Sequence, residues 1–266
     1  MLGVWRRRKV CQVWIADSVR GAFGGCRVKW VQFGYPYLME PWKPPVVLLT
    51  VDIVALTIRQ DQLHVLVVQR GVEPFLGMLA LPGGFVQLDE DLMAAARREL
   101  EEETRIGADL LHLEQLGTYA DPRRDPRGRV ASVAYLAIAP NLPTPQSDTD
   151  AADASWMPVR ELSGRLAFDH DEILRDGLER ARGKLEYTTL AAAFCSNRFT
   201  ISDLRRVYEV VWDTRVDPRN FQRKVLSTQD FVVPMGEKRR QEVGRPATLY
   251  IRGKATTLYP SILRSQ

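Results

Sequence analysis

The chain has 266 residues, of which 45% are apolar and 26% are charged, and its formal net charge at neutral pH is +4. This length favours two domains, the composition is that of a globular protein with a buried core, and no apolar run approaches the roughly 18 residues of a membrane span. Without such a run we expect no membrane partner. Three widely spaced cysteines, Cys11, Cys26 and Cys195, fit a protein of the reducing cytoplasm rather than a disulfide framework or a metal site.

The charge is unevenly distributed along the chain. Residues 1–45 carry 8 Lys/Arg and 2 Asp/Glu, residues 46–183 carry 14 and 23, and residues 184–266 carry 15 and 8, which gives +6, −9 and +7. An acidic middle segment suits a cation, and basic ends suit a polyanionic partner. We expect three parts: an extension at 1–44, a domain at 45–183 and a second domain at 184–266.

The N-terminal extension contains the basic cluster RRRK at 6–9, but it lacks the apolar core and cleavage site of a signal peptide. A poorly ordered extension is the favoured interpretation, and a nucleic-acid or membrane arm is the alternative. Met39 precedes the proline-rich PWKPP and is a candidate for the true start of the protein. Peptides from before Met39 in the natively expressed protein would refute that start.

From Val46 onward, β-branched and apolar runs alternate with turn signals. Strands are predicted, in chain order, at 46–58, 63–70, 113–120, 130–139 and 155–159. The segment RQDQ reads as a turn between the first two strands, and 168–182 has the pattern of an amphipathic helix. The order of elements predicts an α/β domain built around a mixed sheet.

The most informative stretch is GGFVQLDEDLMAAARRELEEETRIG at 83–107. Its Glu99, Glu102 and Glu103 stand at i, i+3 and i+4, on one face of a helix. Clustered carboxylates repel one another unless a cation compensates, and Mg²⁺ or a similar ion is the natural partner for such oxygens. Arg98, four residues before Glu102, is placed to orient or partly neutralise one of these carboxylates. The alternative is a solvated acidic face with one ion pair.

This stretch resembles the Nudix box, written G-x5-E-x7-R-E-U-x-E-E-x-G-U with U a bulky aliphatic residue. The matching positions are Gly84, Glu90, Arg98, Glu99, Leu100, Glu102, Glu103 and Ile106. The resemblance implies an α/β/α sandwich with a mixed sheet, whose acidic helix holds a divalent metal at the diphosphate of a nucleoside diphosphate derivative. Arg105 replaces the glycine that the box expects, so metal ligation is better supported than catalysis by the three glutamates.

Within the Nudix family, a proline 16 residues past the box resembles a marker of the branch that prefers ADP-ribose, and Pro122 lies at that offset from Ile106. An Asp-Pro turn without further meaning is the alternative. The candidate contacts to the ligand are Arg98, Arg123 and Arg124. His64, His112 and His170 lack the spacing of metal ligands and are interpreted as structural.

Residues 184–266 have the pattern of a winged helix-turn-helix. Helices are predicted at 188–194, 201–212 and 218–228, followed by a basic hairpin at 231–252. In the last helix, Phe221, Val225 and Leu226 are predicted to face inward. The residues expected to contact DNA are Arg219, Asn220, Gln222, Arg223 and Lys224 on that helix, with Lys238, Arg239, Arg240 and Arg245 on the wing. The alternative is a small helical domain whose charges only confer solubility.

A Nudix domain followed by this tail resembles the Nudix-related transcriptional regulator (NrtR) family. Segments that carry the resemblance include LAFDH at 166–170, RNFQRKVLS at 219–227 and GRPATLY at 244–250. The resemblance covers about residues 45–252. It implies a homodimeric repressor of NAD-biosynthesis or salvage genes that binds double-stranded operator DNA and senses ADP-ribose or a related NAD metabolite.

Two other function classes stay open. The first is an active Mg-dependent ADP-ribose pyrophosphatase with an appended nucleic-acid-binding domain, in which Glu99, Glu102 and Glu103 hold the catalytic ion. The second is an RNA-binding protein, which is disfavoured because the tail lacks aromatic platforms for stacked bases.

Overall fold

The computed structural model describes residues 5–7, 10–12, 44–104, 112–138, 140, 154–240 and 245–264, with only the backbone described at 5–7, 10–12, 103 and 104. The chain divides into two units, 1–45 and 46–266. In the first unit, β1 (Trp5–Arg7) and β2 (Val10–Gln12) form an antiparallel hairpin that the sequence did not predict. Met39, the candidate start, lies outside the described residues.

The larger unit is built on one mixed sheet. Its strands are β3 (Leu48–Arg59), β4 (Gln62–Gln69), β5 (Leu79–Ala80), β6 (Gly83–Phe85), β7 (His112–Tyr119), β8 (Val130–Ile138) and β9 (Ala154–Pro158). The main order is β5-β4-β3-β8-β7, and β6 pairs with β3 while β9 pairs with β4. The β3–β8 pair is parallel and the other pairs are antiparallel. Gln60 and Asp61, with φ of 47° and 59°, turn the chain from β3 into β4.

Two helices cover opposite faces of this sheet. From α1 (Leu92–Thr104), residues such as Ala96 and Leu100 belong to the same buried cluster as Ile53 of β3. From α2 (His170–Tyr187), Ile173 belongs to the cluster that contains Val54, the next residue along β3. Alternate residues of a strand point to opposite faces, so β3 is buried on both. This arrangement is the predicted α/β/α sandwich.

The second sheet-covering helix is longer than predicted. The helix was predicted to end at Arg182, but α2 continues to Tyr187 because Leu185 is fully buried and extends the apolar stripe by another turn. The predicted domain boundary between 183 and 184 therefore falls inside a continuous helix. Among the helices that the described residues form, none is both long enough and apolar enough to cross a membrane.

The tail forms the predicted helix-turn-helix with a wing. Its elements are a 3-10 helix (Thr189–Phe194), α3 (Ile201–Trp212), α4 (Pro218–Ser227), β10 (Val232–Arg239) and β11 (Ala247–Arg252). A capping box of Thr200 and Asp203 starts α3, and the Asp217 side chain caps α4 with Pro218 in its first turn. Asp213, in the left-handed conformation, ends α3.

The core of this domain is aromatic. The ring of Tyr208 meets Trp212 edge to face at 4.9 Å and Phe221 at 5.1 Å. Val225 is fully buried beside them, whereas Leu226 is 49% exposed, so its predicted inward orientation is wrong. Each helical residue advances by about 100°, which places Leu226 about 140° around the helix from Phe221. The narrow apolar side of α4 has room for Phe221 and Val225 only.

A C-terminal segment at 253–264 folds back onto α2, which the sequence did not predict. The backbone N–H of Leu258 donates to the Tyr187 carbonyl at 2.8 Å, and that of Ile262 donates to the Glu186 carbonyl at 3.0 Å. Leu258 and Ile262 are buried. The segment therefore fastens the last turn of α2 to the end of the wing.

Gly253 is the point at which this segment leaves the wing. A Cβ at Gly253 would lie 1.9 Å from the carbonyl oxygen of Asp230, while its N–H donates to Phe231. We expect Gly253→Ala to lower the free energy of unfolding by about 1–3 kcal/mol in urea titrations followed by circular dichroism. The matched control is Gly183→Ala in α2, where the added methyl meets nothing within 4 Å and helix propensity favours alanine. Equal stability of the two variants would contradict this prediction.

Candidate functional site

Arg98 organises the acidic helix. Its Nε and Nη2 donate to the two oxygens of Glu90 at 3.0 and 2.7 Å. Its Nη1 donates to Glu99 at 2.8 Å and to Glu102 at 3.4 Å. A contact with one of the clustered acids was predicted, and the structure shows contacts with Glu99, Glu102 and also Glu90. Because each nitrogen of the guanidinium group contacts an acid, Arg98 is directed toward the carboxylates rather than left free for a ligand phosphate.

Glu99 is held close to the backbone of the preceding strand. A Cβ at Gly84 would lie 2.3 Å from Oε1 of Glu99, so the glycine of the motif leaves the space that this carboxylate occupies. Burial raises the pKa of Glu99, and the neighbouring Arg98 opposes that shift. The side chain of Glu102 is more exposed than that of Glu99, at 58% against 12%.

The side chain of Glu103 lies outside the described residues, as do Arg105 and the exit of the helix. Within the described part of the chain, no three His, Cys, Asp or Glu side chains form a group that could hold a metal ion. The carboxylates of Glu99 and Glu102 nevertheless converge on one cation, the Nη1 of Arg98.

Arg124, predicted to contact a ligand, is instead the centre of a buried ion network. Its guanidinium group donates to both oxygens of Asp169 at 2.6 and 2.7 Å and to Asp52 at 3.2 Å. Burial opposes its charge, but these carboxylates outweigh burial and raise the pKa of Arg124. The side chain of the neighbouring Arg123 is 92% exposed, and its guanidinium group lies 3.8 Å from the carboxylate of Asp121.

His170 completes this network at the start of α2. Its Nδ1 accepts the backbone N–H of Leu81 at 2.9 Å, and its Nε2 lies 3.4 Å from Asp52. The hydroxyl of Ser132 also donates to Asp52. Burial lowers the pKa of His170, although Asp52 opposes this shift. The arrangement fits the structural role predicted for this histidine and fixes the start of α2 against the sheet.

An aromatic–arginine cluster lies beside the acidic helix and consists of Arg70, Phe75, Phe85, Arg127 and Phe168. The guanidinium carbons of Arg70 and Arg127 lie 4.7 and 5.6 Å from the centre of the Phe168 ring, and Phe75 meets that ring edge to face at 4.8 Å. Arg127 also lies 5.1 Å from the Phe85 ring. The carbonyl of Phe85 accepts a hydrogen bond from Arg98 at 3.3 Å, so the cluster adjoins the acidic helix.

The cluster places two cations near one another. Burial lowers the pKa of Arg70, and the charge of Arg127 lowers it further. Asp125 neutralises part of Arg127 through hydrogen bonds of 2.7 and 3.0 Å. An anion placed between the two guanidinium groups would relieve their repulsion while the aromatic rings offer a flat apolar surface. The cluster therefore suits a ligand that has both a phosphate and a planar ring.

Arg70 and Arg127 were not among the predicted ligand contacts. Arg127 belongs to the same ADPRRDPRGR loop as Arg123 and Arg124, and Phe168 belongs to the LAFDH segment. A loop sequence with four arginines shows that cations are present but not which of them turn inward. The left-handed φ of 56° at Phe168, which aims its ring at the cluster, is unusual for a bulky residue and has no sequence signal.

The second candidate site is the exposed face of α4 with the wing. Arg219, Asn220, Gln222 and Arg223 are exposed. Asn220 accepts a hydrogen bond of 2.9 Å from Arg223, which orients that guanidinium group. Lys224 is half-buried on the flank of the helix, where it lines a cleft together with Asn220, Ile262 and Leu263.

The wing presents the other predicted contacts. Lys238, Arg240 and Arg245 are exposed, and residues 241–244 between them lie outside the described part of the chain. Arg239 forms an ion pair with Asp203 of α3 at 3.0 Å, so it also fastens the wing to the helices.

These two sites define a class of protein: a Nudix domain joined to a winged helix DNA-binding domain. The NUDIX domain model matches residues 48–177, and the NrtR DNA-binding winged helix domain model matches residues 191–251. With both parts present in this order, the chain belongs to the NrtR family, as the sequence resemblance implied.

Individual relatives support this assignment. The chain is 34% identical over 209 residues to the ADPR responsive transcriptional repressor NtrR of Acinetobacter baylyi, an alignment that covers 77% of this chain and 82% of the relative. It is also similar to Shewanella oneidensis NrtR complexed with a 27mer DNA, with a TM-score of 0.67 and 32% identity over 78% of this chain and 98% of that one. An ADP-ribose pyrophosphatase of Methanocaldococcus jannaschii is 37% identical over 121 residues, or 45% of this chain and 68% of the relative.

Proposed function

We propose that this protein is a cytoplasmic, homodimeric repressor of NAD-biosynthesis or salvage genes that releases its DNA operator on binding ADP-ribose or a related NAD metabolite. The observation that carries the proposal is the exposed cationic face of α4 beside a basic wing, in a chain whose other domain has a Nudix fold. The relative in Acinetobacter baylyi is a repressor described as ADPR responsive, which supports the choice of effector.

In this proposal α4 enters the major groove, where Arg219 and Arg223 contact base edges. The wing contacts the phosphates through Lys238, Arg240 and Arg245. A homodimer would place two such helices on two half-sites of fixed spacing. Any ligand that changes the relative placement of the two helices would then weaken DNA binding.

The effector would bind at the aromatic–arginine cluster and the adjoining acidic helix. Arg70 and Arg127 suit the diphosphate, and the ring of Phe85, which is 44% exposed, suits the base. Diphosphate and carboxylates repel, so we infer that Glu99, Glu102 and Glu103 act through a divalent cation such as Mg²⁺. Their convergence on Arg98 indicates that Glu99 and Glu102 can share one positive charge. If the protein bound ADP-ribose with the same affinity in Mg²⁺ and in a metal chelator, a role for the cation in binding would be refuted.

Contacts between the two parts of the larger unit provide a route for coupling. Arg206 of α3 forms an ion pair of 2.8 Å with Asp61 in the β3–β4 turn. The indole nitrogen of Trp212 donates to the Arg182 carbonyl of α2 at 3.1 Å, and Arg182 donates to the Val211 carbonyl at 3.1 Å. A difference of about 1–3 kcal/mol in effector affinity between the DNA-bound and free states would suffice for a useful switch.

Replacing Arg70 with alanine tests the effector site. We expect ADP-ribose affinity, measured by isothermal titration calorimetry, to fall by about 10- to 100-fold, the scale of one hydrogen bond to a charged group. The matched control is Arg123→Ala, which should leave the affinity unchanged because the Arg123 side chain is 92% exposed. The reverse result, with Arg123→Ala as the damaging change, would return the phosphate contact to the residue that the sequence analysis proposed.

A gel-shift experiment at one fixed and stated salt concentration tests the whole proposal. Duplexes from upstream of NAD-biosynthesis genes are mixed with the full chain, with and without ADP-ribose and Mg²⁺, and the integrity of the ligand is followed in the same tubes. Specific retention that intact ADP-ribose releases is the expected result. No retention on any of these duplexes, together with cleavage of the ligand, would overturn the proposal.

An active ADP-ribose pyrophosphatase is the second candidate function, and the near-complete Nudix box favours it. Residual hydrolysis would require Glu99, Glu102 and Glu103 to hold Mg²⁺ that activates water. Turnover in Mg²⁺ that Glu103→Gln abolishes would support an enzyme. Turnover no higher than in a metal-free control would reject it.

A further inference from the structure

Leu226 is an apolar side chain on a helix face that is otherwise polar and cationic. It is 49% exposed, whereas Phe221 and Val225 fill the buried side of α4. Leu226 stands three residues after Arg223 and four after Gln222, so these side chains share one face of the helix. Arg219 lies on the same face, two turns earlier.

Leu226 is half-exposed and is not among the buried residues of α4. The cleft between α4 and the C-terminal segment is lined by Asn220, Lys224 and Leu263, which lie on a different side of the helix from Leu226. A single exposed leucine is ordinary on a protein surface. Leu226 is of interest because it lies among the residues that are proposed to contact the bases of DNA.

The charges around Leu226 select the partner. The sequence of α4, PRNFQRKVLS, contains basic residues and no acid. A second copy of this chain seated face to face on α4 would bring like charges together, whereas a polyanion is attracted. Duplex DNA offers an apolar group at the floor of the major groove, the C5-methyl of thymine, and aliphatic side chains contact it there.

We propose that Leu226 reads a thymine in each half-site by contact with its C5-methyl group. The inference rests on the proposed function, since it requires α4 to lie in the major groove. Arg219 and Arg223 then attract the DNA and form hydrogen bonds to its bases. Leu226 forms no hydrogen bond, but its apolar contact distinguishes thymine from the other bases at one base pair.

Deoxyuridine in place of thymine removes this methyl and leaves the hydrogen-bonding groups of the base pair unchanged. At the contacted position, the exchange should weaken binding by about fourfold, which corresponds to about 0.8 kcal/mol, the value for one buried methylene-sized group. At thymines whose methyl group the protein does not contact, the exchange should leave the affinity for the duplex unchanged.

The experiment uses the full chain and a duplex selected by the wild-type protein from a randomised pool, without effector. Each thymine of that duplex is replaced in turn by deoxyuridine, and affinities are measured for the wild-type, Leu226→Ala and Leu76→Ala proteins. Leu76 is a matched control because it is also a half-exposed leucine, at 58%, but lies in the loop between β4 and β5. Since Leu226 is exposed and alanine favours helix, Leu226→Ala should fold normally.

The expected result is one thymine, or a symmetric pair, at which deoxyuridine weakens the wild-type and Leu76→Ala proteins about fourfold and leaves Leu226→Ala unaffected. The inference is overturned if no thymine position is sensitive, or if Leu226→Ala remains as sensitive as the wild type at every position. Failure of the wild-type protein to retain any duplex from the pool would be a different result, because it would refute the proposed function together with this inference.

Discussion

Replacing Arg124 with alanine should lower the free energy of unfolding by about 3–5 kcal/mol, the cost of leaving a buried charge without its partner. The substitution would strand Asp52 and Asp169, whose carboxylates now share one guanidinium group. Urea titration of the full chain, followed by circular dichroism, measures the effect. His170 lies in the same network, so the start of α2 should loosen as well.

The control for Arg124 is the adjacent arginine. Arg123→Ala removes the same side chain from a position that is 92% exposed, and it should change the unfolding free energy by less than about 0.5 kcal/mol. If both variants were equally stable, the buried network would not be what holds α2 against the sheet.

Replacing Arg223 with alanine should weaken binding to the selected duplex by about 1–3 kcal/mol, or roughly 5- to 150-fold, if its guanidinium group reads a guanine. Asn220 holds that group in place before DNA binds, so Asn220→Ala should lower affinity in the same direction by a smaller factor. The loss should be restricted to duplexes that contain the guanine. A gel shift with single-base variants of the duplex separates these cases.

Lys238→Ala provides the contrast on the wing. A phosphate contact weakens binding evenly across sequences and lowers the salt dependence by about one released counterion. If Arg223→Ala and Lys238→Ala gave the same even loss on every duplex, α4 would not be the element that discriminates between bases.

Local sequence signals predicted most of the fold. The start of α4 was predicted from Asp217, which caps the helix, and from Pro218, whose backbone angle suits the first helical turn. Both effects involve only residues that are close together in the sequence. The acidic helix was predictable in the same way, because the spacing of Glu99 and Glu102 alone places them on one face. Interactions between neighbours in sequence are visible without a structure.

The errors concern contacts between distant parts of the chain. Arg124 and Arg127 come from one loop, and Arg124 turns into the core because Asp52 and Asp169, which are distant in sequence, meet it there. Leu226 was misplaced because its orientation depends on how wide a stripe of α4 the rest of the domain covers. The C-terminal segment at 253–264 has no periodic pattern, since its buried residues are held by the carbonyls of α2 rather than by a helix or strand of their own.

The C-terminal segment also sets an order of events during synthesis. Residues 46–187 contain the whole mixed sheet and both helices that cover it, so these elements leave the ribosome before the segment that closes over α2. The last turn of α2 stays uncovered until Leu258 and Ile262 have left the ribosome, because those residues supply its closing contacts. A chain cut short before Leu258 should therefore keep its Nudix fold yet become sensitive to proteases near Tyr187, which limited digestion would detect. Cells would then carry the sensing half of the protein without a properly seated DNA-binding half.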